Sequence, residues 1–128
     1  MFKFSGFSQK ANSAINYAMC EASALGHSFV GTEHLLWGIL KEESSRDFKT
    51  FAEYKIDCEK VMEKLLETVG RGTRSNLSPS DFSPLCRKVL ENSLSEAKRI
   101  GVLAEISTII STMLKEQESS AVKYLLSF

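Results

Sequence analysis

The sequence predicts an all-α fold built as a tandem repeat of one helical unit, and three observations carry that expectation. Apolar residues advance by three and four through most of the chain, no segment alternates with period two, and the apolar pattern of the first half returns 75 residues further on. With 128 residues, 43% of them hydrophobic and 25% charged, the chain has the make-up of an ordinary globular domain. That length is enough to bury about two-thirds of the unfolded surface. Sixteen basic residues balance sixteen acidic ones, so no global field draws the protein to nucleic acid or to an anionic membrane. Cys20, Cys58 and Cys86 are far apart, odd in number and set in helix-like segments, which argues for reduced thiols in a cytosol. The N-terminus lacks a signal-type apolar region, and no run approaches the ~18 apolar residues of a membrane span. The expectation is a soluble, cytoplasmic protein.

The first helix is expected from Ser8 to Leu25. Ala11, Ala14, Ile15, Ala18, Met19, Ala22 and Leu25 share one face, Ser8 is its N-cap, and Gly26 supplies the positive φ that stops it. The many alanines predict a close helix neighbour. After the crossing loop, Leu35, Leu36, Ile39 and Leu40 predict a second helix with Thr32 as its cap and Glu33 in its first turn, where the macrodipole favours a carboxylate. Glu33 also borders the loop, where a ligand could reach it. A short segment, Arg46 to Tyr54, turns Phe48, Phe51, Ala52 and Tyr54 inward. Asp57 then caps a helix carrying Val61, Met62, Leu65, Leu66 and Val69, which stops at Gly70.

Residues 70–82, with two Gly, Pro79 and several Ser, read as a linker. Arg71 and Arg74 within it are solvated charges on the plainest reading. Beyond it the first unit starts again. Cys86, Val89, Leu90, Ser93, Leu94, Ala97 and Ile100 stand where Ala11, Ala14, Ile15, Ala18, Met19, Ala22 and Leu25 stood, Phe82-Ser83 repeats Phe7-Ser8, and Ile100-Gly101 repeats Leu25-Gly26. One residue out of step, Leu35 to Glu42 returns as Ile109 to Glu116. The repeat is unequal: the second crossing loop is a residue shorter and has no Gly-Thr-Glu-His. Ala121, Val122, Tyr124, Leu125 and Leu126 form a last helix, and no counterpart of the helix after Asp57 follows. The sequence therefore predicts about seven helices, with repeat one over about 7–69 and repeat two, short of its final helix, over about 83–128. A face that such a helix would cover is expected to be open for interaction.

Gly31-Thr32-Glu33-His34-Leu35-Leu36-Trp37-Gly38-Ile39-Leu40, preceded by Glu21-Ala22 and Leu25-Gly26-His27, resembles the amino-terminal repeat domain of Clp-family unfoldases, in particular the ClpC and ClpA branch. The resemblance runs from about Phe7 to Phe128 and is specific in the first copy. It implies a pseudo-twofold all-α bundle that is not a catalyst, that binds adaptor proteins and protein substrates, and that serves an ATP-driven Clp protease assembly. In some ClpC proteins one motif Glu per repeat binds phosphoarginine. Glu33 matches the first of these positions; the second falls near Ser107 to Ile109, where no carboxylate stands, so at most one such pocket is expected.

Phosphoarginine pairs guanidinium-type donors with an anionic phosphoryl group, so its receptor needs a carboxylate and an anion site. Glu33 supplies the first, and the start of the first helix with the Ser8 hydroxyl is the candidate for the second. Family members commonly carry a basic residue where this chain has Gly6; Lys3 and Lys10 are the substitutes at hand. The expected ligand-binding residues are thus Glu33, Thr32 and Ser8. His27 and His34 have no partners at metal-ligand spacing and read as hydrogen-bonded structural residues. No nucleophile elbow and no Gly-x-x-x-x-Gly-Lys-Ser/Thr loop occurs, so neither catalysis, cofactor nor ATP hydrolysis is expected of this chain. The leading expectation is a recognition module that docks adaptors or marked substrates for a Clp unfoldase. The alternative is a free-standing accessory or regulatory subunit of a Clp protease assembly.

Overall fold

The structure, a computed structural model, describes residues 2–44 and 58–126. Six α-helices lie within them: α1 (Gln9–Ala24), α2 (Thr32–Ser44), α3 (Cys58–Thr68), α4 (Pro84–Ile100), α5 (Ile106–Leu114) and α6 (Ser120–Leu126), with one turn of 3-10 helix at Pro79–Asp81. The segment Arg46 to Tyr54 and the Asp57 cap lie outside the described residues. No helix among the described residues is long and apolar enough to cross a membrane.

The two repeats begin identically. Ser8 and Ser83 are the N-caps of α1 and α4, and each hydroxyl accepts from the backbone N–H three residues on, Ala11 and Cys86, at 3.2 Å. They also end identically. Gly26 and Gly101 take φ of 76° and 77°, and the following residues, His27 and Val102, donate back to Ala22 and Ala97, each at 3.0 Å.

The repeats are joined reciprocally. Phe7 forms an isolated parallel bridge with Ala104, and Val30 forms one with Phe82. Ser8 N–H donates to the Ala104 carbonyl and Ala104 N–H to Gly6; Ser83 N–H donates to Val30 and Val30 N–H to Asp81. Each repeat's entry chain thus pairs with the other repeat's crossing loop. Gly6 enters this arrangement with a φ of 86°, and a Cβ there would lie 2.6 Å from Leu94 Cδ2.

The core joins both units through Ile15, Leu35, Leu36, Ile39, Val61, Leu65, Val89, Ile109 and Met113. In repeat one, Gly38 lets α2 press onto the alanine face of α1. A Cβ at Gly38 would lie 2.2 Å from the Ala14 carbonyl oxygen and 3.0 Å from the Ala18 nitrogen. In repeat two Thr112 stands in place of Gly38, opposite Val89 and Ser93 in place of the alanines. There the helix pair leaves a surface cleft of about 330 Å³ lined by Asn92, Ser95, Glu96, Arg99, Thr112, Lys115 and Glu116.

Four expected apolar positions are exposed: Val69 lies beyond the last turn of α3, Leu126 ends α6, and Ile100 and Leu114, counterparts of the buried Leu25 and Leu40, face solvent. The difference between Leu25 and Ile100 comes from residues 70–77, which lie across the end of α1. Gly72 N–H donates to Leu25 O, Ser75 N–H to Ser23 O, the Ser75 hydroxyl to His27 O, and Leu77 N–H to Ser23 Oγ. Among the described residues nothing comparable crosses the end of α4.

Candidate functional site

The Gly-Thr-Glu-His stretch is the most polar part of the interior, and each of its residues is engaged within the fold. Gly31 supplies the carbonyl that accepts the first intrahelical bond of α2, from Leu35 N–H at 3.1 Å. Gly31 is therefore the cap residue, and Thr32, expected to cap α2, is instead inside its first turn. The Thr32 hydroxyl serves another helix: it accepts from Ala121 N–H at 3.2 Å, at the start of α6 and 89 positions away in sequence. Sequence reasoning missed this because capping was sought locally, and a hydroxyl carries no sign of which helix start it meets.

Glu33 has only 5% of its surface exposed. Its carboxylate folds back over Gly31, where an added Cβ would sit 1.8 Å from Oε1, and it accepts a hydrogen bond from the Ser120 side chain at the head of α6. Thr32 and Glu33 together hold the start of α6. His34 Nδ1 accepts from Gly31 N–H at 2.9 Å, its Nε2 lies 2.6 Å from His27 Nδ1, and His27 Nε2 lies 2.7 Å from the Gly70 carbonyl. Only one set of neutral tautomers satisfies all three contacts. The carbonyl demands a proton on His27 Nε2, His27 Nδ1 then accepts from His34 Nε2–H, and His34 Nδ1 is left to accept from Gly31. The two imidazoles thus tie the crossing loop to the end of α3 and the linker. Among the described residues no three His, Cys, Asp or Glu converge as metal ligands would.

Burial resists ionisation of Glu33, but hydrogen bonds from His34 and Ser120, the charge of His34 and the backbone N–H at the start of α2 outweigh it and hold the carboxyl below its ordinary range. The His34 part requires a proton on Nδ1, which lies 3.3 Å from Oε1 and would then no longer accept from Gly31. The Ser120 bond carries no such condition. The negative charge reaches into repeat two: burial first and Glu33 second push the Cys86 thiol well up, and both also raise the Tyr124 phenol.

Ser8 is buried too: its hydroxyl accepts from Ala11 N–H, as expected of the N-cap, and is turned into the helix start rather than toward a ligand. It joins the second crossing loop through Ala104, and no hydrogen bond among the described residues links it to Thr32 or Glu33. Arg71 and Arg74 are exposed, as are Lys3 and Lys10. Cys20 is an exposed free thiol and Cys86 a buried one.

The polar motif therefore works inward, and the outward-facing features lie elsewhere: in repeat one the exposed Tyr17 and Phe29 and a cleft lined by Phe2, Asn16, Cys20 and Arg74, and others in repeat two. In repeat two they are the α4–α5 cleft and the apolar residues Ile100, Val102, Leu103 and Leu114.

Comparison with known proteins fits this architecture. The chain is similar to ClpC of Staphylococcus saprophyticus, an ATP-dependent Clp protease ATP-binding subunit, with 33% identity over 97 residues, which is 76% of this chain and 12% of that protein. The ClpC of Staphylococcus epidermidis gives 32% identity over the same length. The chain thus spans about 12% of the length of these curated relatives. Among solved structures, the N-terminal domain of the caseinolytic protease associated chaperone ClpD from Arabidopsis thaliana superposes with a TM-score of 0.66 at 21% identity, covering 98% of this chain and 96% of that one. A chain from structural investigations of a malarial protein secretion system gives 0.64 at 15% identity, covering 95% and 92%. Both likenesses are of fold. Residues 6–128 match the family model of the Clp repeat (R) N-terminal domain, and the chain belongs to that family.

Proposed function

We propose that this chain is a non-catalytic recognition module that docks adaptors or protein substrates for an ATP-dependent Clp unfoldase and protease. The observation that carries the reading is the family match over residues 6–128, with relatives that are ATP-binding subunits of Clp proteases.

Reading of an arginine-phosphorylated mark at Glu33 is the sharper form of this proposal. The carboxylate supplies the acceptor that a guanidinium needs, but its present partner is Ser120, so a ligand reaches it by displacing the head of α6. Calorimetric titration of the 128-residue chain with arginine-phosphorylated and with unmodified casein tests both levels. Saturable binding of casein is expected, at one site per chain because only repeat one carries the motif. Absence of binding to either casein refutes the module. If Glu33 reads the mark, the phosphorylated form binds more tightly and Glu33→Gln abolishes the difference; equal affinities refute that role.

A further inference from the structure

The residues ahead of α1 are bound to it in a way that repeat two does not reproduce. Asn16 Oδ1 accepts from Phe2 N–H at 3.0 Å, and Asn16 Nδ2 donates to Phe2 O at 2.7 Å. One turn earlier, Asn12 Oδ1 accepts from Phe4 N–H at 2.6 Å, and Asn12 Nδ2 donates to Phe4 O at 3.1 Å. Each carboxamide therefore reads both backbone groups of one residue, and the residues read are alternate ones with the exposed Lys3 between them. The spacings agree, because a helical turn advances about 5.4 Å and two residues of extended chain about 6.6 Å. Each amide also donates within its own helix start, Asn12 to the Ser8 carbonyl and Asn16 to the Asn12 carbonyl. Without residues 2–4, each would still hold out one donor and one acceptor side by side. Asn16, at 3% exposed, is among the most buried polar groups of α1. In repeat two the equivalents are Arg87 and Glu91, and Pro79, which has no N–H, stands in place of Phe4. Helix α4 nevertheless starts with the same cap and the same kind of bridge as α1. Entry into the repeat does not need the asparagines.

We propose that Asn12 and Asn16 read the main chain of an extended segment of unfolded polypeptide, laid antiparallel to α1, and that residues 2–4 are a built-in competitor occupying this groove until such a segment displaces them. Main-chain bonds supply affinity in this mode and leave the sequence open, apart from pockets for alternate side chains. Those pockets are marked by the two aromatic residues now in place. Phe4 packs edge-on to Phe82 with ring centroids 5.9 Å apart. Phe2 borders a cleft of about 200 Å³ that continues along α1 past Asn16 to Cys20 and Ser23 and is also lined by Arg74 and Asn76. That cleft gives a longer ligand further contacts beyond the position of Phe2. The resident segment is displaceable because Phe2 is 46% exposed, Lys3 is exposed and Phe4 is only half-buried, so its release uncovers little apolar surface. This rests on the recognition-module reading and gives that module one place to bind.

The test titrates a blocked peptide of residues 2–6, Phe-Lys-Phe-Ser-Gly, into the isotopically labelled 128-residue protein, and then a second peptide with Tyr for each Phe and Ser for Lys. Both are expected to move the side-chain amide signals of Asn12 and Asn16 saturably. The tethered residues 2–4 compete at high effective concentration, so the Phe2→Gly/Phe4→Gly chain should bind either peptide about tenfold more tightly. A peptide methylated on both Phe nitrogens lacks the N–H groups that the two Asn oxygens accept, and it should bind about tenfold more weakly than its parent. Asn12→Leu/Asn16→Leu keeps side-chain size and should abolish binding. Asn signals that do not move, equal binding of the methylated and unmethylated peptides, or unchanged affinity in the Phe2→Gly/Phe4→Gly chain overturns the proposal. The methylated peptide decides on the unaltered protein, whatever the folding of the variants. Casein binding that persists undiminished in Asn12→Leu/Asn16→Leu rejects this groove and leaves the module itself standing.

Discussion

Replacing Gly26 and Gly101 separately by Ala measures what the linker contributes, because the two glycines share a backbone conformation and differ in what lies above them. Both have φ near +76° and both end a helix with the same bond pattern. Left-handed backbone costs an L residue roughly 1–2 kcal/mol, and the stiffer unfolded chain returns about 0.4–1 kcal/mol. Gly101→Ala meets no neighbour, so it should destabilise by about 1 kcal/mol. Gly26→Ala carries the same cost and drives a methyl to 2.3 Å from Thr73 O and 2.5 Å from Gly72 C, which only displacement of the linker relieves. The linker's bonds to Leu25, Ser23 and His27 are worth ~0.5–1.5 kcal/mol each. With overpacking typically about 1–3 kcal/mol, Gly26→Ala should cost about 2 kcal/mol more than Gly101→Ala. At roughly 4 °C per kcal/mol for a chain of this size, the melting temperatures should differ by about 8 °C. Urea denaturation gives the two values, and limited trypsin digestion at Arg71 and Arg74 should be faster in Gly26→Ala alone. Equal destabilisation, or equal digestion rates, refutes the view that these residues are docked on α1.

Thr32→Val keeps the shape of a buried side chain and removes the acceptor of Ala121 N–H, so it should cost ~1–3 kcal/mol, with hydrogen exchange in 120–126 accelerated more than in α2 itself. The lowered Glu33 pKa makes its ionised form a stabilising one above the ordinary carboxylate range, a contribution lost as pH falls through the depressed folded value. The acid limb of a plot of Tm against pH should therefore flatten in Glu33→Gln, and an unchanged limb contradicts the assignment. Gly38→Ala gains roughly 0.5–1 kcal/mol of helix propensity but places a methyl 2.2 Å from Ala14 O. It should be destabilised on balance, and a variant at least as stable as the parent shows that α1 and α2 do not approach through Gly38.

Features decided within one turn of chain were legible in the sequence. Ser8 and Ser83 as caps, Gly26, Gly70 and Gly101 as stops, and the apolar faces of α1 and α4 depend on neighbours three or four residues away, and the repeat made all but Gly70 visible twice. What escaped depends on which element docks where. Thr32 sits at a helix start in either reading, but only the position of α6 determines that its hydroxyl meets Ala121. Ile100 matches Leu25 in the pattern and differs in exposure because its cover lies in another part of the chain. The Gly-Thr-Glu-His stretch marked the right place, and its burial was hidden because a carboxylate and an imidazole give no sign of facing inward until a serine and a carbonyl arrive to receive them.

The crossed bridges at Phe7–Ala104 and Val30–Phe82 govern how the chain acquires its structure as well as how it keeps it. Neither half owns the partner for its own first residues, so a half synthesised alone has a helix start with no strand to lie against. Closing the wider bridge needs nearly the whole chain in hand and carries a correspondingly high loop entropy. Folding is therefore expected to be a single concerted event, and two separately expressed halves should each be unstructured yet regain helicity on mixing. A lesion in one repeat's crossing loop should be felt first at the other repeat's opening turn.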